Sequence, residues 1–161
     1  YGWWLDRVYQ FNDPDHIVLR DATEGENRAR ITSGVITGLL IAGDDFSAGG
    51  ANRVKMRAQR FLTNPKINQI ANGMSFRPVE GDGERSEYHF VRTDADSNTY
   101  YAIFNYDQND VLKITIPMQR LGLDPGKEYH VEELWSGNEC VVQGMYNIQV
   151  PAWDVQLFSI K

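Results

Sequence analysis

The sequence has little cysteine, no excess of basic charge and no long apolar run. Cys140 is the only cysteine, which excludes an internal disulfide and a zinc site built from several cysteines. The 16 Lys and Arg against 22 Asp and Glu give a net charge of -6, which argues against an electrostatic nucleic-acid binder. No apolar run approaches the roughly 20 residues of a membrane-spanning helix. We therefore expect no nucleic-acid partner and no membrane partner.

What remains is the composition of a globular protein, with 161 residues of which 42% are hydrophobic and 24% charged. This length suits one domain or two small ones. The chain begins Tyr-Gly-Trp-Trp, with neither an initiator Met nor a signal peptide. We interpret this start as a cut inside a longer protein, which leaves the compartment undetermined.

The first half, residues 1–75, has the pattern of βα units. Thr23 followed by Glu26 predicts a capping box at the start of a helix, and Gly38 predicts its end. The apolar run at residues 39–42 predicts a strand buried on both faces. Two such units cannot cover both faces of their own sheet, so this half needs more chain or a partner.

A second helix is predicted over residues 52–62, where apolar side chains recur at helical spacing, and Asn64-Pro65 is expected to close it. The order of loop, strand, helix, strand and helix indicates parallel strands.

The second half, residues 76–161, is dominated by alternating polar and apolar residues. Turn signals such as "DADSN", "DQND" and "DPGK" separate about seven short runs, a pattern typical of an antiparallel β-sandwich. The predicted strands cover residues 87–92, 99–106, 111–116, 128–134, 139–143, 147–150 and 155–160.

The loop "NDPDH" offers two interpretations. Asp13 and Asp15 flank Pro14, which suits an Asx-turn whose carboxylates bond local backbone amides. The same loop suits the carboxyl end of a barrel strand, where barrel enzymes hold their active sites. His16 has no second His or Cys at ligand spacing, so no metal site is predicted.

Other motifs support simpler roles. Asp44 and Asp45 follow the predicted buried strand and are expected to cap the next segment rather than line a cleft. "DADSN" begins like a calcium loop but lacks its glycine and glutamate, so a hairpin turn is predicted. Aromatic residues in the second half fill a sandwich core or form a sugar platform, with these candidates: Tyr100, Tyr101, Tyr106, Trp135 and Trp153.

Taken together, these segments resemble the C-terminal part of an alpha-galactosidase of the melibiase type, in glycoside hydrolase clan D. "FNDPDH" is similar to the family's W-N-D-P-D-M loop, and "ITSGVITGLLIAGDDF" to its segment of helix, strand and acidic end. "RAQRFLTNPKINQIAN" resembles the helix that follows. "EELWSG" and "VPAWDVQLFSIK" resemble strands of the family's terminal sandwich. The resemblance covers nearly the whole chain.

The resemblance implies the last two βα units of a (β/α)8 barrel in residues 1–75, followed by a C-terminal antiparallel β-sandwich in residues 76–161. It implies a retaining glycoside hydrolase acting on terminal α-linked galactose or a related sugar, with no metal or organic cofactor. Asp15 and His16 take the positions that contact the sugar, and Asp13 belongs to the same loop. His16 replaces the usual Met, so the sugar preference is open.

In the family, both catalytic carboxylates lie upstream of this loop, and neither of their motifs has a counterpart here. We therefore expect no catalytic residue in this chain, no activity from it alone, and self-association or binding to the missing barrel part. Secretion or a periplasmic location would suit a polysaccharide-degrading parent. The alternatives are a non-catalytic carbohydrate-binding module and a purely structural sandwich.

Overall fold

The structure, a computed structural model, describes residues 5, 8–10, 12–19, 23–79 and 88–161. The chain divides into two compact units, Gly2–Ser75 and Phe76–Lys161. We call them the N-terminal unit and the sandwich unit. Each unit buries its own set of apolar side chains. Within the described ranges, no helix combines the length and apolar character needed to cross a membrane.

The described part of the N-terminal unit contains three α-helices, α1 Glu24–Thr37, α2 Asn52–Phe61 and α3 Pro65–Ile70. The predicted capping box is confirmed, because Thr23 Oγ1 accepts the Glu26 N–H and the Glu26 carboxylate accepts the Thr23 N–H. The predicted end at Gly38 is also confirmed. Its φ of 100° is a left-handed conformation that glycine adopts without strain.

Asn64-Pro65 follows α2 as predicted, but it also starts α3. Asn64 Oδ1 accepts the N–H groups of Lys66 and Ile67, and Pro65 occupies the first helical position. A proline there loses no hydrogen bond, because that N–H has no partner within the helix. One short motif therefore separates two helices.

The predicted strand at residues 39–42 is wrong in its extent and its burial. One parallel bridge forms, Ile17↔Ala42, in which the Ile17 N–H donates to Ile41 O at 2.7 Å and the Gly43 N–H donates to Ile17 O at 2.9 Å. Ile41 is 37% exposed. A parallel strand is buried by strands on both sides and helices on both faces. The described residues give this segment one bridged neighbour, whose parallel direction agrees with the predicted βα order.

In residues 76–79 and 88–161, which the structure describes, the sandwich unit contains eight strands and one short 3₁₀ helix, Met118–Leu121. The strands are β1 Arg77–Pro78, β2 His89–Thr93, β3 Thr99–Asn105, β4 Leu112–Pro117, β5 Glu128–Glu133, β6 Glu139–Gln143, β7 Met145–Val150 and β8 Asp154–Ile160. All seven predicted strands are present, with ends that differ by at most two residues. Glu87, the first residue of one predicted strand, lies outside the described residues.

The strands form two antiparallel sheets. One has the order β1-β2-β3-β8-β5-β6, and the other pairs β4 with β7. A single buried cluster takes side chains from both, including Tyr101 and Phe158 of the large sheet and Ile116 and Ile148 of the small one. Two sheets that share one core make a sandwich, so the predicted antiparallel β-sandwich is confirmed.

Candidate functional site

The candidate site is the loop at residues 12–16 of the N-terminal unit. Asp13 Oδ1 accepts the Asp15 N–H at 2.8 Å, which closes an Asx-turn around Pro14. Asp15 itself has a φ of 65°, a left-handed conformation that side chains other than glycine rarely adopt. Strained positions of this kind concentrate at functional sites. The turn thus holds the Asp15 side chain outward.

Asp15 and His16 form an exposed pair. Asp15 Oδ1 accepts the His16 N–H at 2.7 Å and lies 2.8 Å from His16 Nδ1, while the two side chains are 85% and 58% exposed. When the ring is neutral, donation from Nδ1 leaves Nε2 as an acceptor. Asp15 Oδ2 accepts no hydrogen bond from the described residues. The pair can therefore accept hydrogen bonds from ligand hydroxyl groups through Asp15 Oδ2 and His16 Nε2.

The backbone on both sides of the loop is anchored. Before it, Asn12 Nδ2 donates to Ser75 Oγ at 3.3 Å, and that hydroxyl donates to Thr37 O at the end of α1. After it, Ile17 and Leu19 are buried. The exposed acid and imidazole therefore stand between two fixed points of the chain.

A second acidic loop, residues 43–50, lies beside the first because the Ile17↔Ala42 bridge brings the two segments together. A Cβ at Gly43 would overlap the His16 ring, so the glycine permits this close approach. Asp44 Oδ2 accepts the Leu19 N–H at 2.7 Å and thereby ties the two segments.

The expectation that Asp44 and Asp45 cap the next segment does not extend to α2. The N-cap of α2 is Ala51, which makes no side-chain cap. Asp45 Oδ1 instead accepts the Ser47 N–H at 2.9 Å. Hydrogen bonds from the hydroxyl and backbone N–H of Ser47 lower the pKa of Asp45. A loop of several residues separates these acids from α2, which puts its first N–H groups out of their reach.

The predicted sugar-platform aromatics separate into two groups. Tyr101 is fully buried in the core, and Tyr100 lies under Arg92, whose guanidinium is 5.3 Å from the Tyr100 ring centre and 5.0 Å from that of Phe76. Arg92 also bonds Asp94 through Nε at 2.7 Å. Those two tyrosines are structural. Tyr106 is 62% exposed, and Trp135 and Trp153 are half-buried.

"DADSN" forms the predicted hairpin turn between β2 and β3, since the Asp94 N–H donates to Asn98 O and the Ser97 N–H donates to Asp94 O. Across the described ranges, no three His, Cys, Asp or Glu side chains are arranged to hold a metal ion.

The sandwich unit matches a known protein family. Residues 89–160 match the family model described as the alpha galactosidase C-terminal beta sandwich domain. The predicted resemblance to the C-terminal part of an alpha-galactosidase is thereby confirmed for this region.

Solved structures extend the likeness of fold beyond that region. Alpha-galactosidase I from Mortierella vinacea has a TM-score of 0.73 at 14% identity and covers 93% of this chain. An alpha-galactosidase from Saccharomyces cerevisiae, solved with raffinose, has a TM-score of 0.70 at 12% identity and covers 94%. A GH27 β-L-arabinopyranosidase from Geobacillus stearothermophilus has a TM-score of 0.68 at 18% identity and covers 89%. At these identities, the likeness concerns the fold.

The chain spans only part of these three proteins, namely 39%, 47% and 32% of their lengths in the same order. No curated protein sequence matches the chain. The structural relatives are glycoside hydrolases by their names, and those names cover more than one sugar.

Proposed function

We propose that this chain is the C-terminal part of a glycoside hydrolase of the alpha-galactosidase type, which acts on terminal α-linked galactose or a related sugar. The supporting observation is a fold likeness that covers about nine-tenths of the chain, and so extends over most of the N-terminal unit. In this proposal, the N-terminal unit supplies the last two βα units of a (β/α)8 barrel.

The Asp15 loop is the rim of the sugar-binding site. Asp15 accepts a hydrogen bond from a sugar hydroxyl through Oδ2, and His16 accepts a second through Nε2. Asp13 holds the turn through its bond to the Asp15 N–H. A hydrogen bond to a charged group contributes about 1.5–3 kcal/mol. An imidazole at position 16 adds a polar partner where the family has an apolar Met, which changes the choice among related sugars.

The parent enzyme hydrolyses its substrate with retention of the anomeric configuration. The reaction is a double displacement through a glycosyl-enzyme intermediate. This chemistry needs a nucleophilic carboxylate and an acid/base carboxylate about 5–5.5 Å apart. We assign both to chain upstream of Tyr1, so that the 161 residues alone are inactive. No metal or organic cofactor takes part.

The exposed apolar surface of the N-terminal unit supports a partner for this chain. Ile41, Phe46 and Met74 are 37%, 39% and 46% exposed. In the full enzyme, the upstream barrel covers this surface. In the isolated chain, a second copy covers it, since exposed apolar patches favour association. Sedimentation velocity should show the isolated chain as dimers or larger species, and a monomer at micromolar concentration would contradict this part of the proposal.

Kinetics on a chain extended upstream of Tyr1 tests the role of the loop. Asp15→Asn should lower kcat/KM for an aryl α-galactoside about 10- to 100-fold, from the loss of a charge-assisted hydrogen bond. His16→Met should alter the ratio of activities on α-galactoside and β-L-arabinopyranoside by a smaller factor. The matched control is Asp45→Asn, an exposed acid of the neighbouring loop, which should change kcat/KM less than threefold. Equal losses in Asp15→Asn and Asp45→Asn would contradict the assignment of Asp15.

A further inference from the structure

Gly43 and the His16 side chain lie in close contact across two loops. A Cβ built on Gly43 would overlap Cδ2 of the His16 ring and would lie 2.8 Å from its Cγ and 2.9 Å from its Cβ. Carbon atoms that are not bonded to each other pack at about 3.5–4.0 Å. Because the three nearest atoms all belong to His16, a side chain at position 43 would displace the imidazole.

The backbone conformation of Gly43 does not itself require glycine. Its φ lies outside the left-handed region, so an alanine could adopt the same backbone. The other glycines of this loop differ from it. A Cβ at Gly50 would overlap Asp45 O within the loop, and a Cβ at Gly49 would meet a single atom, at 3.8 Å. What glycine provides at position 43 is therefore room for the His16 ring.

Hydrogen bonds fix the distance between the two loops. The Ile17 N–H donates to Ile41 O at 2.7 Å, and the Gly43 N–H donates to Ile17 O at 2.9 Å. One step further along, Asp44 Oδ2 accepts the Leu19 N–H at 2.7 Å. The backbone at position 43 therefore cannot move away from the imidazole without the loss of these bonds.

The His16 ring is thereby held at two edges. Nδ1 lies 2.8 Å from Asp15 Oδ1, and Cδ2, on the opposite side of Cγ, lies against Gly43. A ring restricted on both sides keeps one orientation, in which Nε2 is the nitrogen left for a ligand. A group that is already positioned binds a hydroxyl at a smaller cost in conformational entropy than a mobile one.

We propose that Gly43 is a positioning residue of the sugar site, whose missing side chain sets the orientation of His16 and thereby the choice among related sugars. The link to sugars rests on the proposed function, whereas the positioning rests on the contact between the two residues. Gly43 acts through His16 and needs no contact with the substrate.

NMR of the histidine ring nitrogens in the 161-residue chain tests the positioning without any sugar. At about pH 9, imidazoles are neutral and one nitrogen carries the proton. In the unmodified chain, we expect the His16 proton on Nδ1, where it bonds Asp15. Gly43→Ala should move it to Nε2 in most molecules, because the displaced ring loses this bond. A proton that stays on Nδ1 in Gly43→Ala overturns the inference.

Two further variants control this measurement. The chain has three histidines, and His16→Met identifies the His16 signals by their loss. Gly49→Ala adds the same methyl group to the same loop with open space around it, so the His16 proton should stay on Nδ1. Equal effects of Gly43→Ala and Gly49→Ala would show that the loop as a whole, rather than Gly43, orients the ring.

Urea denaturation gives a second test, which also covers poor folding of Gly43→Ala. This substitution should lower the urea midpoint in the unmodified chain and change it little in a His16→Gly background. All three atoms that the new Cβ meets are absent from that background, so the two substitutions should not be additive. Equal losses in both backgrounds overturn the inference.

Kinetics on the chain extended upstream of Tyr1 tests the link to sugar choice. Gly43→Ala should change the ratio of kcat/KM on α-galactoside and β-L-arabinopyranoside about two- to tenfold, the effect of one neutral hydrogen bond. The change should have the same direction as in His16→Met, and Gly49→Ala should leave the ratio unaltered.

The kinetic outcomes separate this inference from the proposed function. Hydrolysis with an unaltered ratio in Gly43→Ala overturns the inference and leaves the proposed function standing. No hydrolysis by the unmodified extended chain overturns the proposed function and the link to sugar choice, while the NMR measurement still decides whether Gly43 positions His16.

Discussion

The two units of this chain differ in how far their strands find pairing partners. In the sandwich unit, the described residues form eight strands that pair in two sheets around one core. In the N-terminal unit, the described residues form three helices and one isolated parallel bridge, with an apolar segment beside it that is partly exposed. Antiparallel strands find their partners within a short stretch of chain, whereas parallel strands need crossovers and cover on both faces. The comparison supports the proposal that the N-terminal unit belongs to a larger sheet, whereas the strands of the sandwich unit pair with one another.

Matched isoleucine truncations give the largest expected contrast. Ile103→Ala, at a fully buried position of β3, should lower the free energy of unfolding by about 2–5 kcal/mol. Ile41→Ala, at a 37% exposed position, should cost less than about 1 kcal/mol in the 161-residue chain. Urea denaturation followed by circular dichroism measures both.

The same two substitutions, made in a chain extended upstream of Tyr1, test whether position 41 is buried in the parent protein. There, the cost of Ile41→Ala should rise towards that of Ile103→Ala, because added strands and helices bury position 41. An unchanged cost of Ile41→Ala in the extended chain would mean that this segment is exposed in the parent protein as well.

The pH dependence of the sandwich unit gives a smaller effect. His89 is 1% exposed, and burial lowers its pKa from 6.5 to about 4. Its Nδ1 lies 3.1 Å from the Tyr101 hydroxyl. Below pH 6.5 the unfolded chain binds a proton that the folded chain does not bind until about pH 4. The free energy of unfolding is therefore unaffected by this residue's titration above pH 6.5. It falls by up to about 3 kcal/mol as the pH drops to 4.

Comparison with His89→Gln isolates this contribution from that of the carboxylates, which titrate in the same range. The unmodified protein should lose about 3 kcal/mol more than the variant between pH 7 and pH 4, measured by urea denaturation at each pH. Parallel stability profiles for the two proteins would show that His89 does not remain neutral in the folded state.

Most of the sandwich could be predicted from sequence, because each strand alternates polar and apolar residues between clear turn signals. The two-residue strand β1, Arg77–Pro78, was missed, since a strand that short has no periodicity and a proline argues against one. The capping box and Gly38 were predicted correctly because they depend on neighbouring residues alone.

The N-terminal unit was harder to predict, and the reason is physical. The apolar run at residues 39–42 predicts a buried strand, but burial depends on neighbours that the run itself does not encode. At the candidate site, the spacing of Asp13 and Asp15 around Pro14 indicated the Asx-turn. The positive φ of Asp15 and its pairing with His16 were not predicted from the residue pattern. The Asp44–Leu19 bond depends on how two distant segments meet.

The most direct test of the central claim is hydrolysis of an aryl α-galactoside by the 161-residue chain and by a chain extended upstream of Tyr1, each with Asp15→Asn beside it. We expect turnover from the extended chain, a large loss in its Asp15→Asn variant and none from the 161 residues. Turnover by the 161-residue chain that Asp15→Asn abolishes would contradict the account, because a complete catalytic site would then lie within these residues.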